Sequence, residues 1–122
     1  MSMSAKDFLR AYNDAFIEPD VDFLVSHTSE DIRWEMVGET VIEGRAAFQE
    51  ALSQMEGSTT LEMNVDTLYV TDGRGTVSGT MRTLSALGEE YHFAFCDLYE
   101  FEGDSELRVT KLTAYVITLT ET

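Results

Sequence analysis

Apolar residues along the chain recur first at helical and then at strand spacing. Phe8, Leu9, Tyr12 and Phe16 fall on one face of a helix. Ser4, with Asp7 three residues later, reads as its capping box, and Pro19 stops it, because the residue before a proline avoids the α region. Asp20 caps a second, short helix carrying Val21, Phe23, Leu24 and Val25. From Asp31 the period drops to two: Ile32, Trp34 and Met36 alternate with Arg33, Glu35 and Val37, which predicts a strand. Gly38 turns the chain into a short strand, Thr40 to Glu43. Gly44 then precedes a third helix with Phe48, Ala51, Leu52 and Met55 on its apolar face, stopped by Gly57.

The remainder reads as a four-strand meander. Strands are expected at about Leu61 to Val70, Thr76 to Leu84, Tyr91 to Phe101 and Leu107 to Leu119. Turns fall at Asp72-Gly73, near Gly88 and at Gly103-Asp104-Ser105. Helices followed by a run of strands predict an α+β domain: three N-terminal helices packed on a curved, mostly antiparallel sheet. Residues 1–122 form one domain, without repeats or a linker.

Alternation sorts the last two strands. Tyr91, Phe93, Phe95, Asp97, Tyr99 and Phe101 share one face, and His92, Ala94, Cys96 and Leu98 the other. In the final strand the same count puts Leu107, Val109, Tyr115, Ile117 and Leu119 together, opposite Leu112, Ala114 and Val116. Both sheet faces are then partly apolar, and the helices can cover only one. A patch made of Ala94, Cys96 and Leu98 beside Leu112, Ala114 and Val116 predicts a homodimer through the sheet face.

Composition narrows the chemistry. A 122-residue chain with 43% hydrophobic residues can bury roughly two-thirds of its unfolded surface and so hold a core with a small cavity. The net charge of -15 repels nucleic acid and anionic membranes. One cysteine, Cys96, excludes an intrachain disulfide and reads as a small buried hydrophobe. No signal core or membrane-length apolar run is visible, so the cytoplasm is the expected compartment. His27 is expected at a helix end, and His92 points away from Asp97, so neither a metal site nor a cofactor is expected. Trp34 reads as core.

The element order, the segment Trp34-Glu35-Met36-Val37-Gly38 leading to Glu43-Gly44-Arg45, and Asp97-Leu98-Tyr99-Glu100-Phe101-Glu102-Gly103 resemble the nuclear-transport-factor-like superfamily in its SnoaL-like, ketosteroid-isomerase-like branch. The resemblance spans nearly the whole chain and implies a cone-shaped fold. It does not fix an activity, since one fold hosts many. Its closest spacing is to the ketosteroid isomerases. By that resemblance Tyr12, before Pro19-Asp20-Val21-Asp22, and Asp97 match the two oxyanion-hole donors, and Glu35, before Met36-Val37-Gly38, matches the base. Such a trio would move a proton next to a carbonyl; a neutral acid in that role is a known feature of ketosteroid isomerase. Phe16, Phe93, Phe95 and Tyr99 would line the pocket for a small hydrophobic molecule.

The residues themselves leave alternatives open. Asp97 in an aromatic stripe is either a desolvated pocket acid or a half-solvated carboxylate. Tyr12 is either pocket-lining or an ordinary core tyrosine. Strand parity turns Glu35 outward with Arg33, and it is a glutamate where the isomerases carry aspartate. The related cyclases and epoxide hydrolases use an aspartate on the final strand, whereas residues 107–120 contain no acidic residue. Two readings stand: an isomerase-like enzyme, or a non-catalytic ligand-binding or dimerisation domain.

Overall fold

The computed structural model describes residues 4–17, 20–54, 59–103 and 106–119. Pro19, Met55, Gly57, Asp104 and Ser105, named above as stops, core and turn, lie outside the described residues.

Helix α1 (Ala5–Ile17) starts where the capping pattern places it: the Asp7 amide donates to Ser4 Oγ at 3.1 Å. It buries Phe8, Leu9, Tyr12 and Ala15, together with Asn13. Helix α2 (Val21–Ser26) is capped by Asp20, whose Oδ1 accepts from the Phe23 amide at 3.2 Å. His27 closes it. Strand β1 (Thr28–Met36) and strand β2 (Thr40–Glu43) form a hairpin around Gly38, which has φ +85°. Helix α3 (Arg45–Gln54) follows, burying Phe48 and Leu52. Strands β3 (Thr59–Thr71), β4 (Arg74–Leu84), β5 (Glu90–Glu102) and β6 (Arg108–Thr118) complete the chain. Both turn residues between β3 and β4 have positive φ, Asp72 at 44° and Gly73 at 77°, as a two-residue hairpin turn requires.

The six strands form one sheet in the order β2-β1-β6-β5-β4-β3. Every neighbouring pair is antiparallel except β1 with β6. β1 begins three residues before the expected start. Thr28-Ser29-Glu30-Asp31 shows no apolar alternation; its first residue is held by pairing, with Thr28 opposite Val109 and the Val109 amide donating to the His27 carbonyl at 2.8 Å, and the register shifts before Arg33.

β6 corrects the expected facing. Glu100 pairs with Lys111 and Phe101 with Val109, so Thr110 is an extra residue that nothing on β5 opposes. Such a bulge resets the parity of everything after it. Val109, Leu112, Ala114 and Val116 therefore share one face with Phe101, Tyr99, Asp97 and Phe95, their partners on β5. The expected patch of Ala94, Cys96 and Leu98 beside Leu112, Ala114 and Val116 does not exist. The residues beside Leu98, Cys96 and Ala94 are Thr113, Tyr115 and Ile117. Cys96 is correspondingly half-buried rather than core.

The helices cover the face that carries Tyr99 and Asp97. α1 is fixed there by Phe8 against Phe101, with ring centroids 5.9 Å apart, and by Tyr12 edge-on to Tyr99 at 5.8 Å. It also presses on β4 at Gly75, where a Cβ would collide with the Leu9 side chain. Trp34, Phe16 and Phe48 close the core beneath α3 in mutual edge contacts.

Candidate functional site

Between the helices and the sheet the packing leaves a cavity of about 220 Å³. Asn13, Phe16 and Ile17 of α1, Leu24 of α2 and Leu52 of α3 form its roof. Trp34 and Met36 of β1, Leu112, Ala114 and Val116 of β6, and Phe95, Asp97 and Tyr99 of β5 form its floor. Thr60 and Met63 of β3 and Met81 and Thr83 of β4 complete the wall. The register explains the convergence. Trp34, Leu112 and Tyr99 are direct partners across three adjacent strands, and Met36, Ala114 and Asp97 form the next row. Strands lie about 4.8 Å apart, so each row places its side chains on one continuous surface.

Four of the seven expected residues line this cavity: Phe16, Phe95, Asp97 and Tyr99. Asp97 has hydrocarbon around it and no cation: among the described lining residues there is no Lys, Arg or His. Burial pushes its carboxyl up to about 7, from 3.8. Tyr99, 2% exposed, has its hydroxyl held well above the ordinary phenol value, first by burial and then by the nearby Asp97 and Tyr12. Neither side chain makes a hydrogen bond to another described residue.

Glu35 is not among the cavity residues. It sits on the outer face of β1 beside Thr113 and Val41, and its Oε1 accepts from Arg33 at 3.0 Å with both side chains partly exposed. Parity decides this: Ile32 and Trp34 point in, so Glu35 points out. Glu35, expected as the base, is placed here as one half of a partly solvated ion pair of small energetic weight, outside the cavity.

Tyr12 is fully buried but does not line the cavity either. Its hydroxyl lies 2.6 Å from Thr28 Oγ1, and the Thr28 hydroxyl hydrogen is committed to the Leu24 carbonyl at 2.5 Å. Tyr12 is therefore the donor to Thr28, and its one proton is spent inside the core. Tyr12, expected as an oxyanion donor, is placed here as a link between α1, α2 and β1. Burial raises its hydroxyl pKa, opposed by that hydrogen bond. Phe93 is not among the cavity residues, although its partner Met81 is; its ring stacks on Tyr91 with centroids 6.0 Å apart.

Several lining residues were not foreseen. Leu112, Ala114 and Val116 were hidden by the bulge. Trp34 is core, as expected, but also wall. Its Nε1 is buried without a hydrogen-bond partner, so it offers the cavity ring carbons rather than the N–H. Asn13 had a readable signal: it follows Leu9 by four residues and precedes Phe16 by three, which puts it on the apolar stripe. No group of three or more His, Cys, Asp or Glu residues placed to hold a metal ion occurs among the described residues. No helix among them is long and apolar enough to cross a membrane.

A roofed, largely apolar cavity on a six-stranded sheet defines the class. The profile of the SnoaL-like domain matches residues 9–109, and the chain belongs to that family. Among curated proteins nothing matches. Among solved structures, an NTF2-like protein of unknown function from Cytophaga hutchinsonii is 22% identical, with TM-score 0.69 over 93% of this chain and 100% of that one. An LEH-like epoxide hydrolase of M. tuberculosis is 20% identical, with TM-score 0.79 over 95% and 84%. A ketosteroid isomerase-like protein from Erwinia carotovora atroseptica is 15% identical, with TM-score 0.72 over 92% of each. Such likenesses establish the fold, and the site must carry the function.

Proposed function

We propose that this protein binds a small, neutral, hydrophobic molecule through an oxygen that accepts a hydrogen bond from protonated Asp97. The observation that carries this is an aspartic acid on the wall of an apolar cavity with no cation on its described walls, where burial pushes its carboxyl up to about 7. A ligand carboxylate would meet no counter-charge there, whereas a ketone, ether or phenol oxygen would meet a donor. Size limits the ligand as well. At a packing density of about 0.75, a 220 Å³ space is filled by roughly ten carbon-sized atoms, one or two rings rather than four.

Proton transfer next to a carbonyl, as the isomerase-like reading requires, would have to be done by Asp97 alone. It is the only carboxylate among the described lining residues, and Glu35 lies on the other side of the sheet. A group titrating near 7 can both give and take a proton, so that activity is the alternative to plain binding.

Binding of para-methylacetophenone, followed by NMR, tests both. Affinity should fall about tenfold per pH unit above the Asp97 pKa, because only the protonated form is competent. Asp97→Asn should keep affinity and lose the pH dependence, while Glu35→Gln should change neither. Absence of binding, or affinity independent of pH, would defeat the proposal. In heavy water, faster exchange of the ketone's acetyl hydrogens with wild type but not with Asp97→Asn would favour the isomerase-like activity over binding alone.

The outer sheet face supports a homodimer. Leu98, Tyr115 and Ile117 are exposed there around Cys96 and Ala94, with Ile117 at 64%. A two-fold contact between copies would bury this patch using one surface.

A further inference from the structure

Asn13 is 5% exposed, and its amide makes no hydrogen bond to any other described residue. Neither amide atom is among the fully buried, unpartnered side-chain atoms of the described residues, so the amide still opens onto accessible space, and an amide on an otherwise apolar stripe calls for a reason. Local structure supplies none. Asn13 is mid-helix, where asparagine is a poor helix former, and it caps nothing. A leucine at that place would extend the stripe of Leu9, Phe16 and Ile17 and leave nothing unsatisfied.

Its position supplies the reason. Asn13 is the one amide side chain among the described cavity residues, and it enters from the helix side, whereas Asp97 and Tyr99 enter from the sheet. It also borders a polar groove of about 330 Å³ outside, shared with Arg10, Asp14 and Asp66. It therefore stands where the apolar cavity meets the polar exterior. An amide offers both donors and an acceptor, so it can serve a hydroxyl that Asp97, already engaged, cannot.

Resting on the ligand-binding reading above, we infer that Asn13 is a second polar anchor and that the ligand carries two oxygen functions: an acceptor at Asp97 and a hydroxyl or carbonyl at Asn13, joined by a compact hydrocarbon body. Selectivity then follows from the cost of displacing water from the Asn13 amide without replacing its hydrogen bond. A site with a polar group waiting for a hydroxyl disfavours the analogue that lacks one.

The test compares para-hydroxyacetophenone with para-methylacetophenone, nearly isosteric compounds differing in one hydroxyl. Wild type should bind the hydroxy compound roughly five- to tenfold more tightly, the worth of one net hydrogen bond. Asn13→Leu should abolish or invert that preference while still binding the methyl compound, and should melt no lower than wild type. Asn13→Ala supplies the same comparison should the leucine not fit. Equal affinity of wild type for the two compounds, or a preference that survives both substitutions, would overturn the role of Asn13 and leave the Asp97 reading intact. Loss of folding in both variants would also overturn it, by making Asn13 structural. Failure of wild type to bind either compound would overturn both inferences together.

Discussion

Replacing Asp97 with asparagine should stabilise the protein at neutral and alkaline pH and do nothing in acid. The folded-state carboxyl titrates at about 7 and the unfolded one near 3.8. Below the lower value both states hold the proton and no difference exists. Between the two, the unfolded chain releases its proton while the folded protein keeps it, so each pH unit costs the folded state about 1.4 kcal/mol. Above the upper value both are ionised and the cost is constant, on the order of 4 kcal/mol for a shift of this size. Stability attached to this group is thus complete in acid and is lost as pH rises through the folded value. Because domains of this kind have only about 5–15 kcal/mol in hand, the effect is large. Urea unfolding of wild type and Asp97→Asn across about pH 4 to about pH 9 reads it directly, and subtraction removes the contribution of the other acidic residues. The variant should gain nothing in acid and a few kcal/mol above neutrality. NMR of the Asp97 carboxyl carbon should show titration near 7. A midpoint near or below 4, or a stability difference that is flat with pH, would refute the desolvation argument.

Tyr12→Phe should cost about 1–2 kcal/mol, because it removes the donor to a buried Thr28, and should leave affinity for para-methylacetophenone unchanged; a selective loss of affinity would return Tyr12 to the site. Ile117→Glu or Leu98→Lys should give a monomeric mass by light scattering where wild type gives a dimer, since each puts a charge in the exposed apolar face; a wild-type mass that is already monomeric would remove the interface. Phe95→Ala should destabilise by about 3–5 kcal/mol in urea, because its ring is core as well as cavity wall; a change well under about 1 kcal/mol would mean that the helices do not cover this end of β5.

The elements were legible where periodicity and turn chemistry agreed. The α1 stripe with its Ser4 cap, the Asp20 cap and the Asp72-Gly73 turn are local features, and the structure keeps each of them. Local rules failed where pairing across the sheet decided the outcome. Thr28-Ser29-Glu30-Asp31 has no strand pattern, yet β6 pairs in parallel with its first residue, which sets Thr28 against Tyr12. In β6, counting by twos through Thr110 reversed the faces of everything after it. The clue was present in the final strand. Val109 and Leu112, both apolar, are three apart, an odd interval that a half-buried strand accommodates by bulging.

The candidate site divides along the same line. The face of Asp97 was legible from parity alone, since it must share that of Phe95, Tyr99 and Phe101, but parity left its exposure to solvent open. Parity also turned Glu35 away from that face, and only the resemblance to the isomerases argued for it as a base. The structure follows parity, because placing Glu35 inside would require the whole strand to slip by one residue. Trp34 and Ile32 would then face outward and Arg33 would enter the core. No carboxylate geometry repays that exchange. The fold thus holds Asp97 inside by the same alternation that turns Glu35 out, and Asp97 is left in the cavity with Tyr99, Asn13, Thr60 and Thr83 as its polar company. Among the described lining residues Asp97 is the one carboxyl group, so on the proposed reading any proton moved in the cavity would pass through it.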